Sequence, residues 1–340
     1  MSKLSQYVAV TGASGHLGSV LAHQLLNVGY RVRAVVRSAD RLQDMPWVQG
    51  AGLDVAEADL TDWAATDKAL AGVESVFHAA AAFDVTQLSA AELCRINVGS
   101  TENVLRACAK RGVGRIVITS SAAAVGTSGQ HREVRDESVW NDHTREPYAH
   151  SKVEAERRAW ELSGELGLSL VAVLPGAMLG PGFHRLTPTL EMIDGAIKNA
   201  FPMLPPIDFA FTDVRDVANA QIRLYESGSS GRYLVAGPTM TFRALLEEVH
   251  QLRPDIEVPK EMASWFASVL PVLDAVSHVL TRAPRTIRSG FVAEYVGRSH
   301  VLSTEKAARE IHWSPRPIAI TLADTLTWLD APRNYAMLDT

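Results

Sequence analysis

Apolar residues recur along the chain with two different periods, and segments of the two kinds alternate. Short unbroken apolar runs read as buried strands: "YVAVT" at 7–11, "RVRAVVR" at 31–37, "GLDVAEADL" at 52–60, "SVFHAAA" at 75–81, "RIVITSS" at 115–121 and "LSLVAVLPG" at 168–176. The segments between them carry helical spacing. Leu17, Leu21 and Leu25 share one face, and 90–110 and 148–166 are the longest helical patterns. Strands alternating with helices predict an α/β fold, a doubly wound parallel sheet of the Rossmann type. Right-handed crossovers then place ligands at the carboxyl ends of the strands. After Pro175 the pattern loosens. "GPGFHRLTPTL" and "NAFPMLPPIDF" read as loops, and "TDVRDVANAQIRLYE" and "GRYLVAGP" as a helix and a strand returning to the sheet. Residues 239–340 read as a mostly helical tail. The expected division is a dinucleotide-binding domain over 1–178 plus about 209–238, and a smaller substrate-binding region over about 179–208 and 239–340.

Composition narrows the partners. The 340 residues carry a net charge of −5, so neither a nucleic acid nor an anionic membrane surface is expected. The N-terminus lacks the apolar core and cleavage site of a signal peptide. The most apolar stretch, "MASWFASVLPVLDAVSHVL" at 262–280, holds Pro271, Asp274 and His278, which make it a poor membrane span. It reads better as a buried or lid-forming amphipathic helix. The two cysteines, Cys94 and Cys108, fall fourteen positions apart in one predicted helix, about 21 Å at 1.5 Å per residue. That is beyond disulfide reach and fits a reducing cytoplasm. The eleven histidines include no H-x-x-x-H pair, so no metal site is expected. A homodimer is compatible with the sequence.

Candidate chemistry starts at "VAVTGASGHLGSVL", residues 8–21. Gly12, Gly15 and Gly18 follow a strand and open a helix, with Ser14, His16 and Leu17 between them. Such a turn brings backbone N–H groups and a helix N-terminus to a pyrophosphate. The spacing, G-x-x-G-x-x-G, departs from the commoner G-x-G-x-x-G. Where that fingerprint places an acidic residue for a ribose 2′-hydroxyl, the second strand here ends in Arg37, nineteen positions after Gly18. An arginine suits a 2′-phosphate, so NADP(H) is the expected cofactor, with Arg41 as a candidate second contact. Further along, "PYAHSK" places Tyr148 and Lys152 on one face at a helix start. A free phenol titrates near 10, and an adjacent ammonium is expected to lower that value. "TSSAAAVG" ends the fifth strand, where Ser120 or Ser121 could donate to a carbonyl oxygen.

These motifs in this order resemble the extended short-chain dehydrogenase/reductases of the NAD-dependent epimerase/dehydratase type. The resemblance covers most of the chain. It extends to "ADL" (58–60), "FHAAA" (77–81), "INVGSTENVLRAC" (96–108), "LPGAMLGPG" (174–182) and "STEKAAREIHWSPRP" (303–317). It is nearest to the dihydroflavonol 4-reductase and cinnamoyl-CoA reductase branch, of which "GYRVRAVVR" is a mark. The resemblance implies Tyr148 as general acid/base, Lys152 on the nicotinamide ribose and Ser121 on the substrate oxygen. It also implies Asp59 and Leu60 at the adenine and Ala79 and Ala80 along the cofactor by backbone contact. Pro175 and Gly176 would flank the nicotinamide, His78 would meet the cofactor by its backbone rather than act in catalysis, and Asn97 would be structural. Phe211 and Arg215 replace a Val-His-Val-Asp-Asp-like run of relatives, and the segment between Ser121 and Tyr148 matches no subgroup.

Three functions compete. The first is an NADPH-dependent carbonyl reductase, or alcohol dehydrogenase in reverse, acting on a small-molecule ketone or aldehyde. The second is an NAD-dependent nucleotide-sugar epimerase or dehydratase, with Arg282, Arg285, Arg288 and Arg298 as diphosphate ligands. The third is a dinucleotide sensor without catalysis. Trp265, Phe266, Val269 and Leu270 would favour a bulky hydrophobic substrate if they line the cleft; otherwise they are core or a subunit contact.

Overall fold

The structure, a computed structural model, describes residues 6–43, 45–49, 51–83, 88–129, 133–183, 185–281 and 289–331. The first half alternates as the apolar pattern requires: β1 (Tyr7–Thr11), α1 (His16–Asn27), β2 (Arg31–Val36), β3 (Leu53–Glu57), α2 (Trp63–Ala69), β4 (Ser75–His78), α3 (Ala90–Arg111), β5 (Arg115–Thr119), α4 (Pro147–Leu166) and β6 (Leu170–Pro175). The second half runs β7 (Ala177–Leu179), α5 (Pro188–Ile197), β8 (Asp208–Asp213), α6 (Val214–Ser227), β9 (Gly231–Val235), β10 (Thr239–Thr241), α7 (Phe242–Leu252), α8 (Ser264–Thr281), α9 (Ser289–Tyr295), α10 (Glu305–Ile311) and α11 (Ile318–Asp330).

Seven strands form one parallel sheet in the order β3-β2-β1-β4-β5-β6-β9. The order reverses direction between β1 and β4, which opens a crevice at their carboxyl ends. Successive residues of a strand feed opposite layers. Val10, Val32, Phe77 and Val173 pack with Leu17, Leu21 and Leu25 of α1 and Val217 of α6. Ala9, Val35, Val76 and Ile116 pack with Val104 and Leu105 of α3 and Ala159 and Leu162 of α4.

A second sheet, β10-β8-β7, lies across the carboxyl ends of β6 and β9. Two glycines make that crossing possible. A Cβ at Gly176 would sit 2.1 Å from the Ala210 carbonyl oxygen, and one at Gly237 equally close to that of Phe211. The second half thus differs from the loops expected there. "RLTPTL" enters α5, because Thr187 caps it and Pro188 takes the first helical position, where a missing N–H costs nothing. Of the returning segments, α6 and β9 do join the main sheet, whereas residues 208–213 pair within the small one.

Arg215 is locked in place by charge. Its guanidinium bonds the buried Asp213 at 3.0 and 2.8 Å and the half-buried Asp324 of α11 at 2.6 Å. With Phe211 also buried, the departure from the relatives' pattern here is a packing feature. Among the described residues no helix is long and apolar enough to cross a membrane. α8 shows Trp265, Val269 and Val272 to solvent, with Trp265 72% exposed, so this tryptophan is not core.

Candidate active site

The glycine turn is built by close approach. Gly12 has φ +69°, and a Cβ there would lie 2.8 Å from the Ala80 Cα. One at Gly18 would lie 2.1 Å from the Gly12 carbonyl oxygen, so α1 can pack on β1 only without a side chain at that position. Gly15 is the N-cap of α1. No side chain caps the helix, and no acidic residue stands in its first turn. The N–H groups of His16, Leu17 and Gly18 therefore form a helix start suited to an anion, with Ser14 partly buried in the turn before it. The His16 side chain turns the other way, its Nε2 bonding the carbonyls of Gly180 (3.0 Å) and Pro181 (3.2 Å). Ala79 and Ala80 face the turn, and the Ala80 N–H donates to Thr11 Oγ1 at 3.3 Å.

At the far end of the crevice Arg37 follows β2 directly and is exposed, as is Arg41 in the next turn. Asp59 lies near Arg37. Hydrogen bonds from the Thr61 N–H and hydroxyl, then the Arg37 charge, hold its carboxyl below the usual range. Leu60 is buried, its carbonyl accepting from Asn103. The whole row from Gly12 to Asp59 fits an adenine dinucleotide, and the open helix start fits its pyrophosphate.

The catalytic candidates gather at the carboxyl end of β5. Glu146 caps α4 through the Ala149 N–H at 2.6 Å, Pro147 opens the helix, and Tyr148 follows in its first turn. Ser121, just past β5, accepts from the Ala123 N–H at 3.1 Å and stands close enough to the Tyr148 phenol to lower its pKa. Lys152, one turn further and buried, donates to the Thr119 carbonyl at 2.8 Å. Burial lowers its ammonium to about 8, against the pull of Glu156, so it stays charged at neutral pH. Desolvation pushes Tyr148 up to about 12, against the Ser121 bond, which lowers it. The sequence expectation was the opposite, a phenol lowered by Lys152. The ammonium gives one of its donors to Thr119 and none to the phenol, which keeps its proton. That is the form a proton donor needs.

The two serines separate cleanly. Ser120 is buried and donates to Glu156 at 2.6 Å, a carboxylate that also takes Arg232 at 2.7 Å. Ser121 faces Tyr148. Ser121→Ala is expected to lower kcat about 10²-fold. Ser120→Ala is expected to cost about 1–3 kcal/mol of stability with kcat nearly kept. Steady-state kinetics and thermal melts on both variants check this, and the reverse order would contradict it. Thr11, Thr119, Glu156 and Arg232 were not legible as site residues, since each acts through a contact distant in sequence.

His78 bonds Thr11 through Nδ1 (2.8 Å) and Thr101 through Nε2 (3.3 Å). Asn97 ties the Ala82 backbone to Ser151. Both hold the cleft's wall. Pro175 ends β6, and Gly176 is where β8 crosses it. Arg298 bonds Thr127; Arg282, Arg285 and Arg288 lie outside the described residues.

Burial lowers three imidazoles: His16 to about 4, His78 to about 3 and His300 to about 4. In the unfolded chain each takes up a proton near 6.5, so the unfolded state binds more protons between about 6.5 and 4. Stability is therefore present above that window and lost as pH falls through it, by roughly 1.4 kcal/mol per pH unit for each site. Thermal melts at about pH 7 and about pH 5 are expected to show a clear fall in Tm. An unchanged Tm would mean that these rings are solvated.

The sequence profile of the "NAD dependent epimerase/dehydratase family" matches residues 8–237. The chain belongs to that family. Within it, the chain is 34% identical over 282 residues to the cinnamoyl-CoA reductase CAD2 of Medicago truncatula, across 77% of this chain and 85% of that protein. It is 30% identical over 335 residues to a putative dihydroflavonol 4-reductase of Synechocystis, across 94% and 93%. Among solved structures, gox2253 superposes with a TM-score of 0.82 at 26% identity, covering 96% of this chain and 98% of that one. The fold is also shared with yeast methylglyoxal/isovaleraldehyde reductase Gre2 complexed with NADPH (TM-score 0.77, 20% identity, 96% and 100%). It is shared equally with MoeE5 in complex with UDP-glucuronic acid and NAD (0.73, 22%, 96% and 99%). The family member described here is an NAD(P)-dependent oxidoreductase acting on CH–OH or carbonyl groups, of the extended short-chain dehydrogenase/reductase type.

Proposed function

We propose that this protein is an NADPH-dependent carbonyl reductase, reversible as an alcohol dehydrogenase. The observation that carries the proposal is the Ser121–Tyr148 pair beside a buried, charged Lys152 at the carboxyl end of β5. A bound nicotinamide supplies the hydride. Ser121 and Tyr148 hold the carbonyl oxygen, and Tyr148 passes its proton to that oxygen as the alcohol forms. Lys152 has donors beyond the one given to Thr119, and these are assigned to the nicotinamide ribose. Gly12, Ser14, Gly15, His16, Leu17 and Gly18 are assigned to the pyrophosphate. Asp59, Leu60, Ala79, Ala80, Pro175 and Gly176 are assigned to the rest of the cofactor, and Arg37, with Arg41, to the 2′-phosphate. Phe209 and Phe291 pack on Tyr295, which lies within electrostatic reach of Tyr148, and this apolar group supports a bulky, hydrophobic substrate. The division into a cofactor-binding part (1–178 with about 209–238) and a substrate-binding remainder belongs to the same proposal. Two free thiols on α3 support action in a reducing cytoplasm.

A panel of ketones and aldehydes, read by NADPH consumption, tests the proposal. Turnover of an aryl or other bulky carbonyl is expected. Turnover confined to nucleotide-sugars, with no net use of NADPH, would favour the epimerase reading, which the shared fold with MoeE5 keeps in view.

A further inference from the structure

Among its described residues, the segment joining Ser121 to Tyr148 contains one short helical turn at 122–124 and otherwise runs as loop, yet both site residues hang from its ends. Besides the direct bonds between the end of β5 and α4, their spacing depends on the ties on that loop. Those ties come from the chain's C-terminal part. The Ser128 N–H donates to the Ser299 carbonyl at 2.7 Å, and the Arg135 N–H to that of Val301 at 3.0 Å. The Thr127 hydroxyl donates to the Glu294 carbonyl at 2.7 Å. α9 itself lies hard against the loop's end: a Cβ at Gly290 would be 2.8 Å from the Arg145 carbonyl oxygen.

The Glu294 side chain spans both ends of the loop. It is 9% exposed and makes no salt bridge among the described residues. Its Oε1 accepts from Asn141 Nδ2 at 2.9 Å, and its Oε2 from the Thr144 hydroxyl at 2.8 Å. Asn141 leads toward Ser121, with its Nδ2 on the Ala123 carbonyl (3.0 Å) and its N–H on that of Ala124 (2.9 Å). It fills the space left by Gly126, where a Cβ would lie 2.4 Å from the Asn141 Cγ. Thr144 leads toward Tyr148: its hydroxyl accepts from the Glu146 N–H at 3.2 Å, and Glu146 caps the helix start that carries Tyr148. Because that hydroxyl already accepts a bond, its own proton needs an acceptor. Only a carboxylate offers acceptors to both donors; a glutamine amide offers one and opposes the other.

We propose that Glu294 is a positioning residue for the reaction, bracketing Ser121 and Tyr148 through Asn141 and Thr144. The inference rests on the reductase function proposed above. Misplacing reacting groups by about 1 Å costs up to about 10²-fold in rate, so Glu294→Ala should lower kcat by roughly 10–100-fold with NADPH affinity unchanged. Glu294→Gln, which keeps one of the two bonds, should fall between it and the wild type. Asn141→Ala should match Glu294→Ala, and the double variant should be no worse than the poorer single, because both remove one bracket.

The experiment measures kcat, KM, NADPH Kd and Tm for these variants and for Thr144→Val, well below each Tm, on the carbonyl compound turned over best. Should Glu294→Ala not fold, the near-isosteric Glu294→Gln and Thr144→Val decide. Lowered Tm with wild-type kcat would assign Glu294 to stability alone and overturn the proposal, as would additive losses in the double variant. Tyr148→Phe runs alongside. If it stays active, the reductase function itself fails. If it is inactive while Glu294→Gln and Asn141→Ala equal the wild type, only the bracket fails.

Discussion

Tyr148→Phe is expected to bind NADPH as the wild type does and to lose about 10²–10⁴-fold in kcat, the usual share of a positioned proton donor. The ring stays, so packing at the start of α4 is kept. What goes is the proton that the proposal assigns to the carbonyl oxygen, together with the polar contact to Ser121. The phenol is held protonated by its desolvated surroundings, with a pKa of about 12. Carbonyl reduction should therefore keep its Tyr148 proton donor throughout the neutral range. The reverse oxidation needs the phenolate and should rise with pH. Stopped-flow binding and steady-state kinetics in both directions check this. A variant with near wild-type kcat would remove Tyr148 from the chemistry.

Arg37→Asp should invert the cofactor preference. A guanidinium matches phosphate oxygens with planar donors. One hydrogen bond to a charged group is worth about 1.5–3 kcal/mol, which is roughly 10–100-fold in affinity. The structure leaves Arg37 exposed at the end of β2, with Asp59 as a neighbouring carboxylate. A second carboxylate at position 37 would repel a 2′-phosphate and could accept from the ribose hydroxyls of NADH. The variant should lose NADPH affinity by at least that factor and hold or gain NADH affinity. Salt should weaken NADPH binding to the wild type more than NADH binding, since the extra contact is ionic. Fluorescence titration of both cofactors reads the result. Unchanged NADPH affinity in Arg37→Asp would place the 2′-phosphate elsewhere.

The main sheet was legible because its central strands are buried on both faces. β1, β4, β5 and β6 each read as an apolar run, and the helices between them as 3.6-residue patterns. The glycine turn and the Tyr148/Lys152 pair were legible because each is one local spacing. The small sheet was not. β7 and β10 have three residues each and pair only through β8, so no local period marks them. α5 was hidden because the stretch that enters it was read as a loop, although Pro188 at a first helical position is a starter. Contacts between distant segments were out of reach altogether. Nothing near Lys152 signals that the Thr119 carbonyl accepts a hydrogen bond from its ammonium. Nothing near Ser120 signals the buried Glu156–Arg232 pair, and nothing in "SGFVAEY" signals that Glu294 holds a loop more than 140 residues earlier. Which face of α8 meets solvent was left open, because apolar spacing alone does not say it.

The most direct test of the reductase account follows the hydride. The wild-type protein is incubated with NADPH deuterated at the transferring carbon and with a bulky aryl aldehyde or ketone, and the products are examined by mass spectrometry and NMR. The account predicts an alcohol carrying one deuterium on the carbinol carbon, formed in step with the NADP⁺ produced and absent with Tyr148→Phe. Oxidation of NADPH without label in the alcohol would contradict it. So would turnover of a nucleotide-sugar with no consumption of NADPH.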